Sequence, residues 1–267
     1  MAWQSNAAQT AVGAAAAFAL GAAVAGVALA AWKVKDKVAG RGKKVAVVLS
    51  GCGYLDGSEV NEAVFVLTAL SEFGAKTTAF APDKTQADVL DHQLGKPLGF
   101  APRQILQESA RITRGDVQDL AKLDVRQFDA LVIPGGFGVA KNLCNWARDG
   151  PACAVDPHVE RVIKGFVDAG KPVGCSCIAP VLLARLISPV TITVGKAGPP
   201  SEFPYGGTVS QVKSLPGVQH VDADATGIVV DSARRVVTTP AYMQNASRFD
   251  IYTGIRSMVL ATLEMSK

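Results

Sequence analysis

The sequence predicts an α/β domain with a mostly parallel sheet covered on both faces, carried behind one N-terminal transmembrane helix. Three observations predict it. Short apolar runs alternate with amphipathic stretches, which is the pattern of strand–helix–strand units. About 225 residues remain after the first 40, enough for one α/β core. The first 32 residues contain no Lys, Arg, Asp or Glu.

The elements follow in order. Lys44–Leu49 is a buried parallel strand bounded by charge and by Ser50-Gly51-Cys52-Gly53. Ser58 is placed to cap a helix running to about Phe73, and Gly74 ends it. Lys76–Ala81 reads as the second strand, and residues 82–103, with three prolines, as irregular. A helix near Arg103–Thr113 precedes a strand over Phe128–Ile133, stopped by Pro134-Gly135-Gly136. Helices at Val139–Ala147 and His158–Ala169 lead to a strand at Lys171–Ser176 and a helix at Ala179–Leu186. Val190–Val194 reads as β, as do Gly227–Asp231 and Arg235–Thr238, a hairpin about Ser232-Ala233. Arg248–Met265 closes the chain as a helix. No internal repeat is visible.

Charge narrows the partners. The chain has 27 basic and 23 acidic residues, but six basic residues and one acid crowd into residues 33–44. The rest is near neutral, with no basic stripe, which argues against nucleic acid as a partner. Five scattered cysteines (Cys52, Cys144, Cys153, Cys175, Cys177) form no disulfide framework and no zinc spacing. The compartment reads as reducing, and no metal is expected.

Residues 1–40 read as a transmembrane helix and a basic linker. The apolar stretch from Ala7 to Trp32 is long enough to cross a bilayer, with Trp3 and Trp32 at its ends. A secretory signal would need a positive leader, and a mitochondrial presequence would be Arg-rich; neither pattern is present. The basic side places the domain in cytosol, matrix or stroma. Gly13, Ala17, Gly21 and Ala25 form a small-residue stripe, read as packing against other membrane subunits; plain helix propensity is the alternative.

Residues 41–267 carry the chemistry. In open α/β sheets, sites lie beyond the carboxyl ends of strands. Cys177 sits where a strand meets a helix, a position that exposes the sulfur near helix N–H groups favouring the thiolate. Gly135 and Gly136 follow a neighbouring strand and could offer backbone N–H groups to an oxyanion. Glu62, one turn into the first helix, could serve as its acid/base partner. From spacing alone the competing readings are strong: a packing cysteine, an ordinary turn, a solvated glutamate.

A resemblance shifts that balance. The blocks SGCGYLDGSEVNEAV (50–64), FAPDK (80–84), ARITRGDV (110–117), DALVIPGGFGVAKNL (129–143), GKPVGCSCIAPVLL (170–183) and VVTTPAYM (236–243) resemble the enhancing-lycopene-biosynthesis (ElbB) family and its mitochondrial relatives, within the PfpI, glutamine-amidotransferase-like superfamily. The match covers about 44–265 and leaves the N-terminal helix outside. It implies a flavodoxin-like three-layer sandwich, Cys177 as nucleophile, Glu62 as its partner and Gly135 and Gly136 as oxyanion hole. It also implies glyoxalase-like, cofactor-free conversion of dicarbonyls to hydroxy acids. Ile178 stands where the superfamily's proteases carry His, and His92, His158 and His220 occupy no recognisable triad position; His92 is the one lying within a family-like stretch. Cys175, two residues before the nucleophile on the same strand face, and Cys52 are candidate redox or modulating thiols, against a plain filler role.

Two functions follow. One is an accessory subunit of a membrane complex, of mitochondrial respiratory type, bound to lipid and to other subunits through the N-terminal helix, with residual or no catalysis. The other is the glyoxalase-like enzyme. The resemblance implies the mitochondrial inner membrane, with the domain on the matrix side.

Overall fold

The computed structural model describes residues 39–99 and 102–266. The N-terminal span and its small-residue stripe lie outside them. Among the described residues no helix is long and apolar enough to cross a membrane.

The strands are β1 Lys44–Val48, β2 Lys76–Ala81, β3 Leu90–Asp91, β4 Lys96–Pro97, β5 Gln118–Asp119, β6 Ala130–Ile133, β7 Val173–Ser176, β8 Val190–Ile192, β9 Val218–His220, β10 Val229–Asp231 and β11 Val236–Thr239. The α-helices are α1 Val60–Glu72, α2 Ile105–Thr113, α3 Trp146–Asp149, α4 Pro157–Asp168, α5 Pro180–Leu186, α6 Gly207–Lys213 and α7 Arg248–Met265. The main sheet has the order β10-β11-β7-β6-β1-β2-β5. All neighbours are parallel except the β10–β11 hairpin. Helices α1 and α7 pack together on one side, while α4 and α5 form the other layer. Strands β6 and β7 are buried along their whole length, which is why they read as unbroken apolar runs.

The chain leaves β1 for β2 on one side and later returns to β6 on the other. This reversal opens a crevice at the carboxyl ends of β1 and β6, the usual ligand position in such sheets. Helix α7 is fixed to α1 by Glu72: Arg256 Nε donates to Glu72 Oε2 over 3.0 Å, Tyr252 donates to the same oxygen over 3.2 Å, and the guanidinium lies 4.8 Å from the Phe73 ring centre.

Several elements differ from the sequence reading. Ser58 does not cap α1. Its hydroxyl accepts from the Ser50 N–H at 2.9 Å, and Glu59 is the cap, accepting from Glu62 N at 2.6 Å. The helix expected over Val139–Ala147 is broken: a π-turn covers Val139–Leu143, Cys144 is extended, and α3 starts afresh at Trp146. Residues 82–103 are not wholly irregular, since they hold the β3–β4 pair. Helix α6 was not anticipated, nor was β9, which pairs with the expected strand β8.

Candidate active site

The turn after β7 builds the centre. Cys177 has φ 59°, a left-handed conformation that costs a non-glycine residue on the order of 1–2 kcal/mol. The turn is held from both sides: Cys177 N donates to Thr239 O at 2.9 Å and Ala179 N to Ser176 O at 2.9 Å, while Pro180 opens α5. The bend turns the thiol out of the strand and onto Gly136, at the wall of a cavity. Cys175, still within β7, remains in the fully buried core. The shared strand face expected for the two thiols therefore does not arise, because Cys177 has already left the strand. All five cysteines are free.

Glu62 is fully buried and faces Cys177. Its Oε2 accepts from Ser176 Oγ at 2.7 Å and from Gly135 N at 2.9 Å. Its Oε1 is buried with no conventional hydrogen-bond partner, and the Cys177 thiol couples to the carboxyl. Burial raises the Glu62 pKa to about 7, assisted by the neighbouring Glu59 charge; the Ser176 and Gly135 hydrogen bonds oppose this. Burial likewise raises the Cys177 thiol well above its ordinary value, and the Glu62 charge adds to it. The N–H groups of Gly136 and Ile178 pull the other way and are outweighed. In the resting site the proton thus stays with the pair, rather than leaving a standing thiolate.

The two glycines separate in role. The Gly135 N–H is engaged by Glu62 and, at 3.2 Å, by Ser176 Oγ, whereas the Gly136 N–H points at the sulfur. Donors at the sulfur come from Gly136 and Ile178. Both glycines are required by contact. A Cβ on Gly135 would collide with the Cβ of Cys177, and one on Gly136, at φ 103°, with the backbone of Gly57 and Glu59.

The cavity beside Cys177 has a volume of about 210 Å³. Its walls include Tyr54, Phe137, Trp146, Tyr205 and Tyr242, with Glu59 as the acidic group. The sequence reading missed Glu59, Ser176 and these aromatics. Ser176 was detectable as the residue before the elbow; the rings come from segments far apart in the chain.

Other candidates lie elsewhere. Cys52 is half-buried, and burial and Glu108 raise its thiol; it does not line the cavity. His92 stacks edge-on against Tyr54, with ring centres 5.4 Å apart, and its Nε2 lies 3.5 Å from Asp56. His220 accepts from Val194 N at 3.2 Å, and His158 stands in the first turn of α4. Among the described residues no group of three His, Cys, Asp or Glu side chains could hold a metal ion.

A three-layer α/β sandwich with a cysteine on a left-handed elbow over a buried glutamate defines a class, the elbow-nucleophile domains of the PfpI type. No family model matches the chain. The chain is 46% identical over 224 residues to the human glutamine amidotransferase-like class 1 domain-containing protein 3, mitochondrial, covering 84% of this chain and 83% of that protein. It is 36% identical over 232 residues to the zebrafish ES1 protein, mitochondrial, covering 83% and 86%. A crystal structure of an isoprenoid biosynthesis protein with amidotransferase-like domain from Ehrlichia chaffeensis superposes with a TM-score of 0.75 at 37% identity, covering 84% of this chain and 99% of that one. The Francisella tularensis Rapid Encystment Protein 24 KDa shares the fold alone, with a TM-score of 0.54 at 11% identity, covering 83% and 99%. The chain belongs to the glutamine amidotransferase-like class 1 family that contains the mitochondrial ES1 proteins.

Proposed function

We propose that the chain is a cysteine–glutamate enzyme acting on small reactive carbonyl compounds, converting dicarbonyls to hydroxy acids. The observation that carries this is Glu62, a fully buried carboxyl poised near neutrality against the elbow thiol. A group with its pKa near the working pH both takes and returns protons efficiently. The sulfur adds to the aldehyde carbon while its proton passes through Glu62 to the carbonyl oxygen. Glu62 then removes the C–H proton of the hemithioacetal, giving an enediolate, and returns it to the adjacent carbon while the hydroxyl proton passes from the first oxygen to the second, leaving the thioester of the hydroxy acid. Water cleaves the thioester and restores the thiol. The electrons stay within the substrate, so no external oxidant or reductant enters.

Methylglyoxal is the simplest probe. Cys177→Ala should abolish lactate formation, and Glu62→Gln should reduce it by about 10²–10⁴ with the fold intact. Turnover that survives Cys177→Ala overturns the mechanism.

A second reading rests on the uncharged residues 1–32 followed by the basic cluster. On this reading the domain is tethered to a membrane as an accessory subunit of a larger complex, with little or no catalysis. The human and zebrafish relatives are named mitochondrial, and we extend that location to this chain, with the matrix face of the inner membrane as the site. A wild-type protein that turns over no dicarbonyl and migrates in a large complex on a native gel would favour this role.

A further inference from the structure

We propose that the cavity beside Cys177 is a cation pocket, taking small organic ammonium compounds with the positive nitrogen held between the Glu59 carboxylate and the tyrosine rings. This deepens the reading above, since it rests on the cavity being the substrate site; it assigns the substrate class as carbonyl compounds that also carry an ammonium group.

Three observations support it. The first is the wall. Three of the chain's four tyrosines (Tyr54, Tyr205 and Tyr242) converge on this one cavity, together with Phe137 and Trp146. Tyr205 and Phe137 pack edge to face with ring centres 5.4 Å apart, and both line the space. Aromatic faces attract cations, and cages of such rings are the common means of holding quaternary ammonium groups. The second is the charge balance. No Lys, Arg or His lines the cavity, and Glu59 carries its one carboxyl group. A carboxylate-bearing ligand would enter a site with a like charge and no counter-ion.

The third is that Glu59 lacks an ionic partner. Its carboxylate accepts from Asn61 Nδ2 at 3.1 Å and from the Glu62 N–H at 2.6 Å. Neither donor is charged, and among the described residues no cation comes within ion-pair distance of it. Arg248 lies in the adjoining groove, which shares Glu59, Tyr205 and Tyr242 with the cavity, and acts on Glu59 only at longer range. A half-buried carboxylate facing aromatic rings without a counter-ion is the arrangement a ligand cation completes. Phe137 is also flanked by Lys141, 5.7 Å from the ring centre, but that ammonium is held by Asp88 and the Leu55 carbonyl and does not line the cavity.

The test is a calorimetric titration of the full chain near neutral pH with choline and with its uncharged isostere, dimethylbutanol. We expect choline to bind at least about tenfold more tightly, which corresponds to about 1.4 kcal/mol. Glu59→Gln keeps an oxygen that can still cap α1, and it should bring the two affinities to within about threefold. Tyr205→Leu, which leaves the cap untouched, should narrow the gap as well. Equal or tighter binding of dimethylbutanol by the wild type overturns the proposal, as does a choline preference unchanged in Glu59→Gln. Because binding is read without turnover, failure here is distinct from a failure of the carbonyl chemistry.

Discussion

At the scale of single residues, Glu62 links the site to pH. Its folded pKa of about 7 exceeds its ordinary value of 4.5, so the folded state holds the proton more tightly than the unfolded one. The sign follows. The group imposes no penalty below about pH 4.5, and its ionisation costs increasing stability as pH rises to about 7. The plateau is about 3 kcal/mol, because each pKa unit corresponds to about 1.4 kcal/mol. Glu62→Gln cannot ionise, so its melting temperature should gain on that of the wild type across this window. A constant difference between the two proteins would count against a buried, titrating carboxyl. Ser176→Ala removes a hydrogen bond that favours the charged form, so the midpoint of any Glu62-dependent activity should move to higher pH. Cys177 and Glu62 were legible through the family resemblance, since spacing alone left a packing cysteine and a solvated glutamate as strong readings; the fold sets the two side by side. Glu59 was not, because Ser58 beside it is the better cap by residue type, and only the buried Ser50–Ser58 contact shows why that hydroxyl is unavailable.

At the scale of elements, the sheet was legible where strands are wholly buried. Strands β6 and β7 are buried throughout and β1 is buried beyond Lys44, while β2, buried only over Ala79–Ala81, still falls on its expected bounds, as does α7. The two-residue pairings of β3 with β4 and of β2 with β5 carry too little pattern to be seen. The break between Leu143 and Trp146 was hidden because the residues on either side suit a helix; the tertiary contacts of Cys144 and Asn145 with Val155 and Ala154 override that preference. Two predictions belong here. Gly135→Ala should cost about 2 kcal/mol by chemical denaturation, because the new methyl meets the Cys177 Cβ and crowds Glu62. It should also abolish any Cys177-dependent activity. Glu72→Ala should lower stability by only about 1 kcal/mol, since its partners in α7 are partly exposed. It should leave the pH profile of the site unchanged.

At the scale of the whole molecule, the sandwich places the crevice between β1 and β6, and segments distant in sequence bring the cavity wall to it. The order of strands and helices could be read from alternation, but the aromatic wall could not. Its residues stand at positions 54, 137, 146, 205 and 242, and nothing local announces that they meet. The N-terminal stretch makes its own prediction. Carbonate extraction should leave the full chain in the membrane pellet, and removal of residues 1–40 should release the domain. If the small-residue stripe packs against other subunits, Gly21→Leu should leave the protein in the membrane but detach it from its complex on a native gel. Unchanged co-migration would assign the helix a tethering role alone.

The left-handed turn at Cys177 sets heat resistance against chemistry. Alanine there keeps the Cβ and its strain; glycine, without a Cβ, adopts φ 59° freely. Cys177→Gly should therefore melt above Cys177→Ala, by up to about 1 kcal/mol in stability, the reverse of the order these residues follow in most ordered backbone. A library of this chain selected only for survival of heating would accordingly drift toward glycine at the one position that carries the nucleophile.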